Sequence, residues 1–155
     1  MQTYRKTKTP YLLYAILPAA LLMRLWWVFN VKTAPVYDFL KFHLGAVSIA
    51  EGMGYKLYGN PTAFEPIGYP GFLALLYRFL GPRIIFPKLA NVAFSLGIII
   101  LTYLIGKKLF NQAIGLVAAF FIAFSPRNIT YTSVLGNEIY FTFLMLVVIH
   151  LMLNY

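Results

Sequence analysis

The sequence predicts an all-α membrane protein with about four transmembrane helices and two amphipathic helices at the membrane surface. Hydrophobic residues make up 61% of the 155 residues, whereas charged residues make up only 11%. Soluble domains are roughly 45–50% apolar and about 25% charged. The mean hydropathy is +0.74, and the apolar residues are grouped in long runs. At about 20 residues a span, a chain of this length holds about four spans and their loops.

The same composition argues against several other classes of protein. The chain has no cysteine, which excludes disulfide frameworks, thiolate metal sites and cysteine nucleophiles. The formal net charge is +9, but the basic residues lie mostly at the ends of apolar runs. That placement is typical of the positive-inside rule and of contact with anionic lipids, and not of a nucleic-acid-binding stripe.

The first predicted span covers about 11–31 and is interrupted only by Arg24. More apolar runs follow it, so we interpret it as a retained helix and not as a signal peptide. Trp26 and Trp27 near its end resemble an interfacial aromatic belt. An arginine inside a span is costly and therefore a functional candidate. Arg24 can meet a lipid-linked phosphate or pair with a carboxylate; alternatively, its side chain extends to the nearby outer interface.

A long outer loop is predicted over about 32–86, and it holds three of the four acidic residues. A helical apolar pattern over 39–50 predicts a first amphipathic helix at the membrane surface. The apolar stretch 66–80 is too short to cross a bilayer core of ~30 Å, and it predicts a second surface or re-entrant helix. Glycines, Asn60 and Pro61 between the two helices predict a loop.

Three further spans are predicted at about 87–106, 111–126 and 137–155. The basic residues of the N-terminus and of the turn after the second span favour a cytoplasmic location, which places both chain ends inside. All four acidic residues then lie outside. The N-terminal basic residues are Arg5, Lys6 and Lys8, and the basic turn is Lys107–Lys108.

Asp38 and Glu138 are the carboxylates that open predicted helices on the outer side. Asp38 follows the first span, where a carboxylate at the membrane surface can act as a general base or bind a divalent cation. The alternative is that Asp38 caps the helix that starts at Phe39. Glu138 can approach Asp38 across the bundle and share a cation or an acceptor group. Its alternative role is a favourable interaction with the helix dipole.

The most distinctive stretch runs from 54 to 74 and combines glycine, proline and aromatic residues. It predicts a stiff turn followed by a helix whose aromatic surface can hold a sugar ring or isoprene units; the alternative is an interfacial anchor without a ligand. Glu65 precedes Pro66 and caps this helix by default. His43 and His150 lack metal-ligand spacing, so we interpret both as structural.

The order of these features resembles the N-terminal part of the GT-C superfamily of integral-membrane glycosyltransferases. The similar branch includes dolichyl-phosphate-mannose protein mannosyltransferases, aminoarabinose transferases and lipopolysaccharide galacturonosyltransferases. A pattern like D-x-x-x-[YF]-x-x-x-A…G-x-G-Y is matched by Asp38, Phe42, Ala46, Gly52, Gly54 and Tyr55. A P-T-A-[FY]-x-P-P-G-Y-P-x-F-L-A block is matched from Pro61 to Ala74. Later matches are a G-[RK]-[RK]-L-F turn at 106–110, an S-P-x-x-x-x-Y segment at 125–131 and Glu138.

This resemblance implies an inverting enzyme that takes a sugar from a polyprenyl-phosphate donor on the outer face of the membrane. The acceptor is then a lipid, a glycan or a protein. By resemblance Asp38 is the catalytic carboxylate, and Arg24, Glu65, Tyr69 and Glu138 are expected to contact substrate. No cofactor is certain, and a divalent cation is the only candidate. The expected location is the bacterial inner membrane, with the N-terminus in the cytoplasm.

The chain departs from the family pattern in three ways. Phe39 follows Asp38 where some members have a second acidic residue, and Ile67 replaces the second proline of the block. Family members are also much longer and have many more spans. We therefore expect an incomplete module that is inactive by itself. The alternative function is a small four-span accessory protein or flippase for lipid-linked sugars, although the long loop 32–86 argues against that class.

Overall fold

The computed structural model describes residues 11–63 and 65–155. The basic residues Arg5, Lys6 and Lys8, and Phe64 of the aromatic block, lie outside the described residues. The expected, mostly helical fold is confirmed, because 76% of the described residues are helical. The helices are α1 (Tyr11–Asn30), α2 (Asp38–Ala50), α3 (Gly68–Leu80), α4 (Ile85–Leu109), α5 (Gln112–Phe124), α6 (Pro126–Thr130), the 3-10 helix η1 (Tyr131–Ser133) and α7 (Glu138–Asn154).

The long helix α4 is the centre of the bundle and packs against α1, α5 and α7. The buried core between α1, α4 and α5 combines aliphatic residues with three alanines, and among its fully buried, described members only Tyr103 has an aromatic ring. Small side chains let helices approach closely in a membrane, where van der Waals packing drives association. The buried members of this core are Leu13, Ile16, Ala20, Ile99, Tyr103, Ala119 and Ala123.

The turn between α4 and α5 depends on two facing glycines. A methyl group added to Gly106 would lie 2.9 Å from Cα of Gly115. A methyl group added to Gly115 would lie 2.6 Å from the carbonyl oxygen of Tyr103 and 2.8 Å from the backbone nitrogen of Lys107. These distances are too short for a side chain, so the backbones of α4 and α5 are in direct contact here.

Within the described residues, two helices are long and apolar enough to cross a membrane: α1 and α4, of 20 and 25 residues. The segment after them is a helix pair, Gln112–Phe124 and Pro126–Ser133, bent by 55°. If the bent pair counts as one span, the number rises to three. The expected number of four spans is therefore not confirmed.

Two features explain why the expected third and fourth spans are not single helices long enough to cross a membrane. Pro126 lacks a backbone N–H and disfavours a helical residue before it, so Ser125 is extended with φ −63° and ψ 121°. Helix α7 has only 17 residues and rises about 26 Å at ~1.5 Å per residue. That length is slightly less than a typical hydrocarbon core of ~30 Å.

The two expected helices of the loop 32–86 are present as α2 and α3, and they pack against each other. A small antiparallel hairpin joins them, at the position where the glycines, Asn60 and Pro61 predict a loop. Its strands are β1 (Lys56–Leu57) and β2 (Asn60–Pro61). Tyr58 and Gly59 in the turn have φ of 52° and 83°, and positive φ at both positions is typical of a type I′ hairpin turn.

An aromatic cluster joins the α2–α3 pair to the bundle. It consists of rings from α2, α3, α4 and α7, and the ring of Phe72 stacks on that of Tyr140 with centroids 4.9 Å apart. Such pairs add about 0.5–1.5 kcal/mol each beyond the burial of their area. The members of the cluster are Phe42, Tyr69, Phe72, Phe94, Tyr140 and Phe143.

Candidate functional site

The candidate site is a charged cluster at the start of α2, formed by Asp38, Lys41 and Glu65. The Nζ atom of Lys41 donates to Oδ1 of Asp38 at 2.8 Å and lies 3.5 Å from Oε1 of Glu65. The Asp38 side chain is 64% exposed and the Glu65 side chain is 17% exposed. One carboxylate therefore faces water, while the second is partly enclosed behind the shared lysine.

Local sequence explains most of this arrangement. Asp38 and Lys41 are three residues apart, so their side chains lie on the same face of α2. Asp38 is the first residue of the helix, where a negative charge interacts favourably with the dipole. Tyr37 before it has φ 49° and ψ −123°, a strained backbone for a residue with a side chain. Strain of about 1–3 kcal/mol is typical of functional positions.

Tyr55 forms the wall of the cluster next to the hairpin. Its ring packs directly on Gly45 of α2, where a methyl group would overlap the ring. Burial and the charge of Glu65 raise the pKa of Tyr55, while the charge of Lys41 partly offsets this shift. The hydrogen bond to Asp38 and the nearby carboxylates raise the pKa of Lys41 against a smaller opposing effect of burial.

Glu138 opens α7 close to the start of α2. A methyl group added to Gly136 would overlap Oε2 of Glu138 and would lie 3.1 Å from a ring carbon of Phe39. The glutamate and the residue after Asp38 thus border the same glycine. Glu138 is exposed and forms no ion pair with any residue that the structure describes. An approach of Glu138 to Asp38 itself stays a prediction.

Tyr69 lies in the aromatic cluster and is only 4% exposed. Its ring contacts those of Phe42, Phe72 and Tyr140. Its buried hydroxyl forms no well-aligned hydrogen bond within 11–63 and 65–155. Burial is the main reason that the pKa of Tyr69 is raised. The side chain packs α3 onto the bundle in this structure, and its contact with substrate stays a prediction.

Arg24 is fully enclosed, with 0% exposure. Its Nε donates to Oγ of Ser95 at 2.6 Å, and one terminal nitrogen donates to the carbonyls of Ala20 and Ala123 at 3.1 and 2.9 Å. The other terminal nitrogen is 3.4 Å from the carbonyl of Ile122. Ile122 and Ala123 lie in the last turn of α5, whose carbonyls lack helical partners. The arginine therefore caps α5 at the bend, and the side chain does not extend to the outer interface.

No group of three or more histidine, aspartate or glutamate side chains is arranged for a metal within the described part of the chain. The position between Asp38 and Glu65 is filled by the ammonium group of Lys41. A divalent cation at Asp38 stays a prediction.

Three residues near the site were not assigned functional roles from the sequence. Lys41 and Tyr55 adjoin the carboxylates, and the spacing of three residues from Asp38 is the signal that identifies Lys41. Nδ1 of His43 lies 2.8 Å from the hydroxyl oxygen of Tyr77, which links α2 to α3. This contact agrees with a structural interpretation of His43.

Comparisons with known proteins add no relatives. No protein-family model matches the chain, and neither a curated protein nor a solved structure matches it. The GT-C resemblance therefore depends on the motifs of the sequence alone.

Proposed function

We propose that this chain is the N-terminal membrane module of a GT-C-type glycosyltransferase. The enzyme that contains this module would transfer a sugar from a polyprenyl-phosphate donor to a lipid, glycan or protein acceptor on the outer face of the bacterial inner membrane, and the module would be inactive by itself. The observation that supports the proposal is the cluster of Asp38, Lys41 and Glu65, with Glu138 close to the start of the same helix. Helix α2, which carries Asp38 and Lys41, is joined through α3 to the apolar bundle by the aromatic cluster.

In this proposal Asp38 is the general base. Its exposed carboxylate accepts the proton of an acceptor hydroxyl or amine as that group attacks the anomeric carbon. The bond between that carbon and the phosphate oxygen breaks, polyprenyl phosphate leaves, and the anomeric configuration inverts. Glu65 and Glu138 contact the acceptor. Tyr69 holds α3 in place, and Arg24 keeps the bend of α5 in place beside the site.

The proposed membrane topology has four spans with both chain ends in the cytoplasm. The bent pair of α5 with α6 and η1 is the third span, and α7 is the fourth. The α2–α3 pair then lies on the outer surface, where water and lipid head groups both reach Asp38. The basic turn at Lys107–Lys108 lies inside, as the positive-inside rule requires.

The direct test is a transfer assay on membranes that contain the protein as it is encoded. A radiolabelled polyprenyl-phosphate sugar is supplied, and the membranes are analysed for labelled lipid, glycan and protein. The proposal expects a labelled product of inverted anomeric configuration that is absent from membranes lacking the protein. Failure to form any product with a panel of donor sugars, in membranes with verified expression, would contradict it.

A second candidate is an accessory protein or flippase for lipid-linked sugars. The observation that favours it is the 55° bend in the third apolar segment, since transporters build binding sites at broken helices near the membrane midplane. The test uses liposomes with a fluorescent lipid-linked sugar and a reagent that reduces only outer-leaflet probe. Faster movement across the bilayer without any transfer product would favour this candidate over the enzyme.

A further inference from the structure

A buried lysine joins α4 to the loop between α1 and α2. Lys88 lies in the first turn of α4 and is only 7% exposed. Its Nζ atom donates to the hydroxyl oxygen of Thr33 at 2.8 Å and to the carbonyl oxygen of Thr33 at 3.0 Å. No carboxylate of the described residues forms an ion pair with Lys88. A buried charge is costly unless it is hydrogen-bonded, so the two oxygens of this one threonine compensate for its burial.

Thr33 is in turn held by the 3-10 helix η1. Its hydroxyl donates to the carbonyl oxygen of Ser133 at 2.6 Å. The hydroxyl of Ser133, which is 2% exposed, accepts from Nε1 of Trp27 in α1 at 3.1 Å. In α4, Nδ2 of Asn91 donates to the carbonyl oxygen of Val134 at 2.8 Å. Side chains of α1 and α4 therefore fix both the loop and η1 at the same end of the bundle.

Thr33 is the point at which the loop is attached to the bundle. The loop 32–36 forms neither a helix nor a strand. Among the described residues, its hydrogen bonds to α4 and η1 all involve Thr33. Helix α2, which follows the loop, packs mainly on α3 and the hairpin. The position of α2 relative to the bundle therefore depends on two attachments, the aromatic cluster and Thr33.

The segment between Thr33 and Asp38 has only four residues, and their backbone has little freedom. Pro35 has a fixed φ and restricts the residue before it. Tyr37 has a φ of 49°, and strain of this kind persists only where the surrounding structure holds the segment in place. A displacement of Thr33 is therefore transmitted to Asp38.

We infer that Lys88 is a positioning residue, which acts through Thr33 to fix the loop that carries Asp38. This inference rests on the proposed function for the role of Asp38 as the general base, whereas the contact between Lys88 and Thr33 does not depend on it. Buried polar groups are retained in some proteins because they specify one conformation and not because they add stability. The lysine gives the loop one fixed partner in α4, which an apolar side chain of similar length does not provide.

The first test follows the loop itself. The chain has no cysteine, so Val36→Cys provides a single thiol for a nitroxide spin label, at a side chain that is 52% exposed. In nanodiscs we expect an electron paramagnetic resonance spectrum of restricted motion, which Lys88→Met converts into that of a mobile label. A label at Arg78→Cys, on the exposed side of α3, is the control, and Lys88→Met should leave its spectrum unchanged.

Two results of this experiment would overturn the inference. The first is an unchanged spectrum of the label at position 36 in Lys88→Met. The second is mobilisation of the labels at both positions, 36 and 78, because that result would indicate that Lys88 supports the whole fold and not the loop in particular.

A matched pair of variants at position 33 separates the hydrogen bonds from packing. Thr33→Ser keeps the hydroxyl that accepts from Lys88 and donates to Ser133, whereas Thr33→Val has nearly the same shape and no hydroxyl. The label at Val36→Cys should stay restricted in Thr33→Ser and become mobile in Thr33→Val. Equal spectra of the two variants would contradict a role for these hydrogen bonds in holding the loop.

The second test measures sugar transfer by the enzyme that contains this module. Lys88→Met should lower kcat by about tenfold to a hundredfold, since a misplacement of ~1 Å can cost that much. KM for the donor should be unchanged, because Lys88 has no contact with substrate in this account. If the label becomes mobile but the unmodified enzyme transfers no sugar, only the proposed function fails. If the unmodified enzyme transfers sugar and Lys88→Met keeps the same kcat, only this inference fails.

Discussion

The charged cluster on α2 and the enclosed Arg24 are two polar centres with opposite surroundings. Asp38 has a side chain that is 64% exposed and one described partner, Lys41. Arg24 is 0% exposed and has four described partners, three of them backbone carbonyls. The first centre can exchange its partner for a ligand at small cost, because exposed ion pairs contribute only about 0–1 kcal/mol. The second cannot, since each broken contact leaves a buried group unsatisfied.

The difference shows that rarity within an apolar segment does not by itself identify a ligand-binding residue. Arg24 is the more unusual residue in the sequence, yet its contacts explain it as a cap on the end of α5. Asp38 looks like an ordinary helix-opening residue, yet it is open to water and shares Lys41 with a second carboxylate, Glu65. Exposure and partners separate the two roles where the sequence pattern does not.

The largest expected effect is that of Arg24→Met. The variant removes all four hydrogen bonds at the bend and leaves the carbonyls of Ile122 and Ala123 without their charged donor. We expect the free energy of unfolding to fall by about 3 kcal/mol, as measured by denaturant titration in detergent micelles. Arg78→Met, on the exposed face of α3, is the control and should change stability by less than about 0.5 kcal/mol. Equal stability of the two variants would contradict the structural role that we assign to Arg24.

Glycine-to-alanine substitutions should change the free energy of unfolding in opposite directions at the α4–α5 contact and in α3. In Gly115→Ala the new methyl group meets the backbone of Tyr103 and Lys107 at 2.6 and 2.8 Å, so α4 and α5 must separate. We expect a loss of about 1–3 kcal/mol. Gly71→Ala on α3 meets no atom within 4 Å and should stabilise by about 0.4–1 kcal/mol. The same titration measures both; a stabilising Gly115→Ala would mean that α4 and α5 are not in close contact.

A smaller effect should appear on acidification, and only in the α2–α3 pair. Burial lowers the pKa of His43 below 6.5, so the unfolded state binds a proton that the folded state does not. The contribution of His43 to stability is present above pH 6.5 and is lost as the pH falls through the lowered pKa. The protection factors of the amides in α2 and α3, which are corrected for the slower intrinsic exchange at lower pH, should therefore fall between pH 7 and pH 5. In His43→Gln this fall should be smaller; an identical pH dependence of the protection factors would contradict the assignment to His43.

Local patterns predicted the elements of this fold better than their contacts. The apolar runs predicted α1 and α4, and the helical spacing in 39–50 and 66–80 predicted α2 and α3. The hairpin was missed because its turn depends on positive φ at Tyr58, a residue type without a strong turn preference. The end of α5 was predicted, because the third span was expected to close at Pro126, a helix breaker; the short helices α6 and η1 that follow the bend were not predicted.

The site was predictable only where its partners are close in sequence. Lys41 follows from its spacing to Asp38, whereas Glu65 is 24 residues from Lys41. The partners of Arg24 in α4 and α5 are 71 to 99 residues away. Contacts at those separations depend on how the helices pack, which single-sequence periodicity does not specify. The enclosure of Arg24 and the burial of Tyr69 could therefore not be predicted from the sequence and are seen only in the structure.

The measurement that tests the account most directly is sugar transfer by Asp38→Asn, made in the protein as it is encoded. The substitution keeps the size of the side chain and removes its ability to accept a proton as a base. We predict that transfer from a polyprenyl-phosphate donor is abolished. The expression level should be unchanged. The free energy of unfolding should stay within about 1 kcal/mol of that of the unmodified protein, because Asp38 is exposed. Transfer at the unmodified rate by Asp38→Asn would contradict the central claim.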